Sequence, residues 1–198
     1  STVSGNSTKR NGGGISSNNG GEVTLTNSTV SNNFALIRRG GGISNNDSEV
    51  TLTNSTISGN SSDNGGGGIV NFRGTLTLSN SRISGNSVND FSGGGIYNSG
   101  NLTLTNSTVS GNSANTSGGG IWNESNLTLT NSMVSGNSSN EIGGAIYNRG
   151  NLILSNSTVS GNSAEGSGGG IYNSSSTVLN NSTLFGNTAS NVGGFYNY

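Results

Sequence analysis

A single peptide, Asn-Ser-Thr-Val-Ser-Gly-Asn, recurs along this chain with little change. Its first Asn falls at Asn27, Asn54, Asn80, Asn106, Asn131, Asn156 and Asn181, in steps of 27, 26, 26, 25, 25 and 25 residues. A partial copy opens the chain at Ser1-Thr2-Val3-Ser4-Gly5-Asn6. A second block, Gly-Gly-Gly-Ile-aromatic-Asn, runs in phase at Ile15, Ile43, Ile69, Ile96, Ile121, Ile146 and Ile171, and ends at Phe195. Repeats of this length signal stacked supersecondary units, and a unit this short excludes propeller blades and helical hairpins.

One unit shows what is stacked. Asn101 to Asn106 alternates apolar and polar residues, the period of a strand, with Leu102 and Leu104 on one side and Thr103 and Thr105 on the other. Ser107 to Asn112 reads as a second short strand with Val109 inward, Ser113 to Ser117 as a polar turn, and Gly118 to Asn123 as a third strand with Ile121 inward. The triple Gly before Ile lets the backbone bend or approach another segment closely. No stretch has a helical period. Such a stripe cannot be buried by one unit alone, but stacked coils bury it against their equivalents one turn away. The expected fold is all-β: a single-stranded, right-handed parallel β-helix (β-solenoid) with three short strands per coil. About seven and a half coils of 25–27 residues would form one domain over residues 1–198, ~35 Å long, with no linker and no evident caps.

Asn closes each strand, as Asn106, Asn112 and Asn123 in one unit and Asn131, Asn137 and Asn148 in the next. Asn suits sharp bends, and stacked amides can bond one another, so all three columns are expected to form structural ladders. By alternation, Tyr97, Trp122, Tyr147, Tyr172 and Tyr196 form an aromatic column on the outside, beside the inward Ile column.

Composition narrows the chemistry. Gly 36, Asn 36, Ser 38 and Thr 20 fill most of the 198 positions, and Pro, Cys, His and Gln are absent. Without Cys or His there is no disulfide, no thiolate or imidazole metal ligand and no Ser-His pair. Seven basic and eight acidic residues give no electrostatic footprint for nucleic acid, and no apolar run spans a bilayer. The missing leader predicts a mature form or an excerpt of a longer chain. The carboxylates, Glu22, Asp47, Glu49, Asp63, Asp90, Glu124, Glu141 and Glu165, are expected in or beside corners rather than on strand faces, where a polysaccharide enzyme would need them. No enzyme, cofactor or metal is expected.

Gly143-Gly144-Ala145-Ile146, with the Val109-Ser110-Gly111-Asn112 type of block, resembles the repeats of chlamydial polymorphic outer-membrane proteins, which pair Gly-Gly-Ala-Ile with Phe-x-x-Asn. This chain has Val or Ile where that family has Phe. It is equally similar to large surface proteins of environmental bacteria. The resemblance covers nearly the whole chain and implies a parallel β-helix, secretion, surface display and adhesive or structural roles.

Four features carry functional expectations. Thr-x-Thr rows (Thr24/Thr26, Thr51/Thr53, Thr103/Thr105, Thr128/Thr130) resemble ice-binding faces, or simply suit an exposed strand. The aromatic face of Tyr97, Trp122, Tyr147 and Tyr172 could stack on glycans or a host surface, or on itself. Fifteen glycosylation sequons occur, including Asn6, Asn46, Asn60, Asn115 and Asn123; many others, such as Asn106 and Asn156, are ladder positions expected to face inward, which leaves the variable turns as the expected place for a glycan. Finally, Lys9, Arg10, Arg38 and Arg39 lie early in the chain and Glu141 and Glu165 late, with Tyr196 and Tyr198 last, which suggests ends that join head to tail. The resulting expectation is an extracellular or cell-surface structural protein whose partner is itself, as a filament or matrix fibre. The alternative is an adhesin or autotransporter passenger fragment that binds host or polysaccharide.

Overall fold

The computed structural model describes all residues 1–198 and contains 31 strands and no helix. The strands form four parallel sheets, eight strands in each of three and seven in the fourth. One coil, the fifth from the N-terminal end, runs Thr108–Ser110, Ser113–Ala114, Ile121–Asn123 and Asn126–Thr130, contributing one strand to sheets 1 to 4 in turn. There are thus nearly eight coils, and each has four strands rather than the three the sequence suggests. The extra one comes from residues assigned to a polar turn. Gly111, at φ +62°, ends sheet 1 and redirects the chain, and Ala114 then points inward. Two residues are too few to show an alternating pattern.

Pairing is in register from coil to coil. Ile121 lies between Ile96 and Ile146, and Leu102 and Leu104 face Leu127 and Leu129. The apolar columns merge into one core of 23 buried residues, among them Leu102, Leu104, Val109 and Ile121. Each such side chain contributes about 1.5–3 kcal/mol by leaving water.

Two of the three Asn columns are inward ladders. Asn112 is buried, donates to the Ile83 carbonyl (3.1 Å) and Asn137 Oδ1 (2.9 Å), and accepts from the Asn86 backbone N–H (2.9 Å) and Nδ2 (3.0 Å). Asn123 donates to Asn148 Oδ1 (2.7 Å) and accepts from Asn98 Nδ2 (2.8 Å). The third column behaves differently. Asn106 and Asn131 sit at φ +50°, exposed, with Asn27, Asn54, Asn80, Asn156 and Asn181 also left-handed. The left-handed corner between sheets 4 and 1 turns these side chains outward, because Asn is among the few residues that tolerate it. The inward polar column there is the next residue, Ser. Ser107 Oγ donates to the Thr105 carbonyl (2.8 Å) and accepts from the Ser81 N–H (3.1 Å). Among the sequons, Asn106 and Asn156, expected inward, are therefore exposed, and Asn60 and Asn123 are buried.

The triple Gly has a steric cause. A Cβ on Gly119 would fall against the carbonyl oxygens of Ser138 and Gly144 in the next coil. The next position is less demanding, since Ala145 occupies it one coil on from Gly120 and is fully buried. Gly119→Ala is therefore expected to disrupt the stack, and Gly120→Ala, whose Cβ would stand 2.7 Å from the Ala145 carbonyl oxygen, to lower the urea transition midpoint less. In the same assay Asn112→Ala, which orphans buried partners at about 1–3 kcal/mol each, should lower the midpoint strongly. Asn106→Gly, at an exposed left-handed corner, should leave it nearly unchanged.

Candidate functional surface

The turns between sheets 2 and 3 stack into a ridge along one side. Counting coils from the N-terminal end, Lys9 and Arg10 lie on the first and Arg38 and Arg39 on the second. Asp63 and Asp90 lie on the third and fourth, and Glu141 and Glu165 on the sixth and seventh. Coils five and eight carry no charge in this turn. Backbone bonds tie each turn to the next, such as Gly40 N–H to the Gly65 carbonyl (3.1 Å) and Asp90 N–H to the Asp63 carbonyl (3.0 Å). None of these charged side chains is in an ion pair, because the one salt bridge joins Arg73 to Asp47 (2.6 Å) on another side. The charges expected to mark the two ends thus lie along the flank. The last coil carries Tyr196 and Tyr198 instead.

Beside the ridge, on the outer face of sheet 3, runs the aromatic column. Ring centroids stand 6.2 Å apart for Tyr97–Trp122, 4.2 Å for Trp122–Tyr147, 5.3 Å for Tyr147–Tyr172 and 4.9 Å for Tyr172–Tyr196, all stacked. Tyr198, 83% exposed, adds a ring 6.5 Å from Tyr172. Phe91, from the ridge, leans on Tyr97 and Trp122 at 6.1 and 6.2 Å. Rings at these separations gain from stacking beyond the area they bury. The column is mainly self-stacked and half-buried, and Trp122 Nε1 is buried with no partner.

Three members of this surface are not apparent in the sequence: Phe91, Glu124 and the role of Arg39. The Arg39 guanidinium lies 5.0 Å from the Tyr97 ring centre and 5.8 Å from that of Phe91. It reaches across two coils because the outward positions of sheet 3 there hold Ser44 and Val70 rather than aromatics. Those small residues in an otherwise aromatic column are the one signal the sequence offers. They also leave a cleft of about 490 Å³, lined by Arg38, Arg39, Ser44, Asn46, Val70 and Phe72 among others.

Sheet 4 presents the threonine rows in register on its outer face. Thr24, Thr51, Thr77, Thr103 and Thr128 align, followed by Ile153 and Val178, which are 40% and 44% exposed. Two carboxylates differ from expectation. Glu22 and Glu49 are not corner residues but open adjacent strands of sheet 4, directly opposite each other. They occupy the first strand position, the one in register with Thr75 and Asn101 in later coils. Glu49 borders a shallow depression with Asp47, whose carboxylate is held by Arg73 through two hydrogen bonds (2.9 and 2.6 Å). No group of three His, Cys, Asp or Glu side chains converges.

Burial, together with the bond its hydroxyl donates to Glu124 Oε2 (2.8 Å), pushes the Tyr97 phenol up to about 12, with Arg39 acting in the opposite sense. A raised phenol favours the protonated folded state. Its contribution is therefore complete below the ordinary tyrosine value of about 10 and is lost as pH rises through the folded value. In an ultraviolet titration Tyr97 should be the last of the five tyrosines to ionise. Tyr97→Phe should remove that last step and flatten the alkaline loss of stability.

No curated protein and no solved structure matched this chain. A family model described as the right-handed β-helix region matches residues 41–198. That match covers well over half of the chain and agrees with its parallel four-sheet coils, so the chain belongs to the right-handed β-helix family.

Proposed function

We propose that the chain is a non-enzymatic structural protein of the cell surface or extracellular matrix whose coils continue from copy to copy, head to tail, as a filament. The observation that carries this reading is the polarity of the amide ladders. Along the first ladder each Asn Nδ2 donates to the Oδ1 of its C-terminal neighbour, from Asn6 donating to Asn33 (3.0 Å) to Asn162 donating to Asn187 (2.9 Å). In the second ladder Asn173 donates to Asn197 (2.7 Å), and that ladder starts at Asn45 in the second coil, beneath Ser17 of the first. A ladder with one donating and one accepting end fits a copy of itself head to tail and no other way. The apolar columns are compatible, with Val3, Ile15 and Leu25 half-buried at one end and Leu184 and Phe195 at the other. Each junction would hide unpaired strand edges that otherwise invite indiscriminate pairing.

The family includes enzymes as well as non-enzymes. The non-enzymatic reading rests on where the carboxylates lie. Asp47 is tied to Arg73, Glu124 accepts from Tyr97, and the ridge acids are spread along the flank. A surface adhesin reading is favoured by the cleft beside Arg38 and Phe72, which offers cation, amide and ring to a sugar chain.

Electron microscopy of the 198-residue chain, with sedimentation on dilution, separates the two. Filaments with an axial repeat of about 38 Å, eight coils at the strand spacing, support the structural reading. Discrete rods that bind immobilised polysaccharide would replace it with the adhesin.

A further inference from the structure

The ridge carries a pattern that the end contacts do not use. Its cations occupy coils one and two and its anions coils three, four, six and seven, all on the same flank. The geometry points to a lateral, antiparallel pairing of two copies along this ridge, related by a two-fold axis at the fourth coil. About that axis coil one faces coil seven and coil two faces coil six. Lys9 and Arg10 then meet Glu165, and the exposed Arg38 meets Glu141, each contact occurring twice. Such an isologous contact closes on itself and needs only one self-complementary patch.

Apolar surface follows the same register. The second turn presents Leu36 (41% exposed) and Ile37 (57% exposed) beside Arg38. The turn opposite it holds Ile142, half-buried, beside Glu141. A charged rim around apolar and aromatic residues is the ordinary anatomy of an interface between proteins. At the axis, Phe91 of each copy approaches its equivalent, and the exposed Asp90 also meets its equivalent. That like-charge contact is the one unfavourable term in the register. Asp63 faces the uncharged fifth turn at Asn115 and Thr116. Lys9, Arg10, Arg38, Asp90, Glu141 and Glu165 are exposed and outside any ion pair, so attraction between copies competes with no internal salt bridge, whereas Arg39 is half-buried on the Tyr97 and Phe91 rings. It is screened beyond about 8 Å at physiological ionic strength.

This pairing goes beyond end-to-end stacking and does not depend on it: filaments could bundle by it, and isolated rods could dimerise by it. The chain has no cysteine, so single cysteines report geometry directly. With a short bismaleimide, Asp90→Cys should convert to covalent dimer, because position 90 sits beside its own copy only in this register. Asn191→Cys, on the eighth coil, should not convert. In head-to-tail filaments two copies of residue 90 stand about 38 Å apart, beyond the reagent, so filament formation alone leaves Asp90→Cys unlinked. Sedimentation equilibrium gives the second test. Arg38→Glu and Glu141→Lys, both exposed, should each weaken pairing about threefold or more, and an equimolar mixture of the two should regain the parent affinity. Unchanged circular dichroism shows that the coils are intact. Failure of Asp90→Cys to link, or a dimer indifferent to both charge reversals, overturns the proposal.

Discussion

Everything in this molecule hangs on the hydrogen bond from one coil to the next. A coil buries too little apolar surface to hold itself, with about five inward apolar side chains set among glycines and hydroxyls. Its order comes from repeating one geometry, in which two amide ladders and most of the 146 backbone bonds run along the stack. The glycines follow from this. Coils can approach only where no Cβ intrudes, as between Gly119 and the carbonyls of the next coil. The Asn residues follow too, since a buried amide with a partner above and below satisfies both its donor and its acceptor. A composition that would suggest disorder in an aperiodic chain becomes sufficient when every polar group meets an identical neighbour.

The sequence was most informative where a physical period was long enough to register. Leu102, Leu104, Val109 and Ile121 declare the inward columns because alternation and a fixed repeat both mark them. Ser113–Ala114 does not declare its sheet, since two residues carry no period. Asn106 and Asn112 look alike in sequence yet do opposite things. One is an outward left-handed corner and the other a buried ladder rung. What separates them is the backbone angle, set by which neighbour turns inward: Ser107 after the first, Asn112 itself after Gly111. The surface was harder to read. Arg39 and Tyr97 are distant in sequence, and only the stacking of coils brings them to 5.0 Å. Charges ordered along the chain also look like charges at its ends. In a solenoid, order along the chain becomes order along a flank.

The outer surface is organised by sheet. Sheet 4 shows hydroxyls in rows, sheet 3 shows rings, and the turn between sheets 2 and 3 shows the uncompensated charges. The ridge and the ring column are not independent, because Arg39 of the ridge lies on Tyr97 and Phe91 and lines the cleft between them. With a net charge of −1, no long-range repulsion opposes close association.

The reach of Arg39 bears on how the molecule comes apart. In a stack where each coil touches only its neighbours, coils detach one at a time from whichever end is weaker, each loss much like the last. The guanidinium that spans Ser44 and Val70 to lie on Tyr97 joins the second coil to the fourth, skipping the coil between them. Coils two to four are thereby coupled as a block. A rod pulled or denatured from its N-terminal end would release its first coil readily and then pause until this clasp opens, giving an otherwise uniform chain a preferred breaking point.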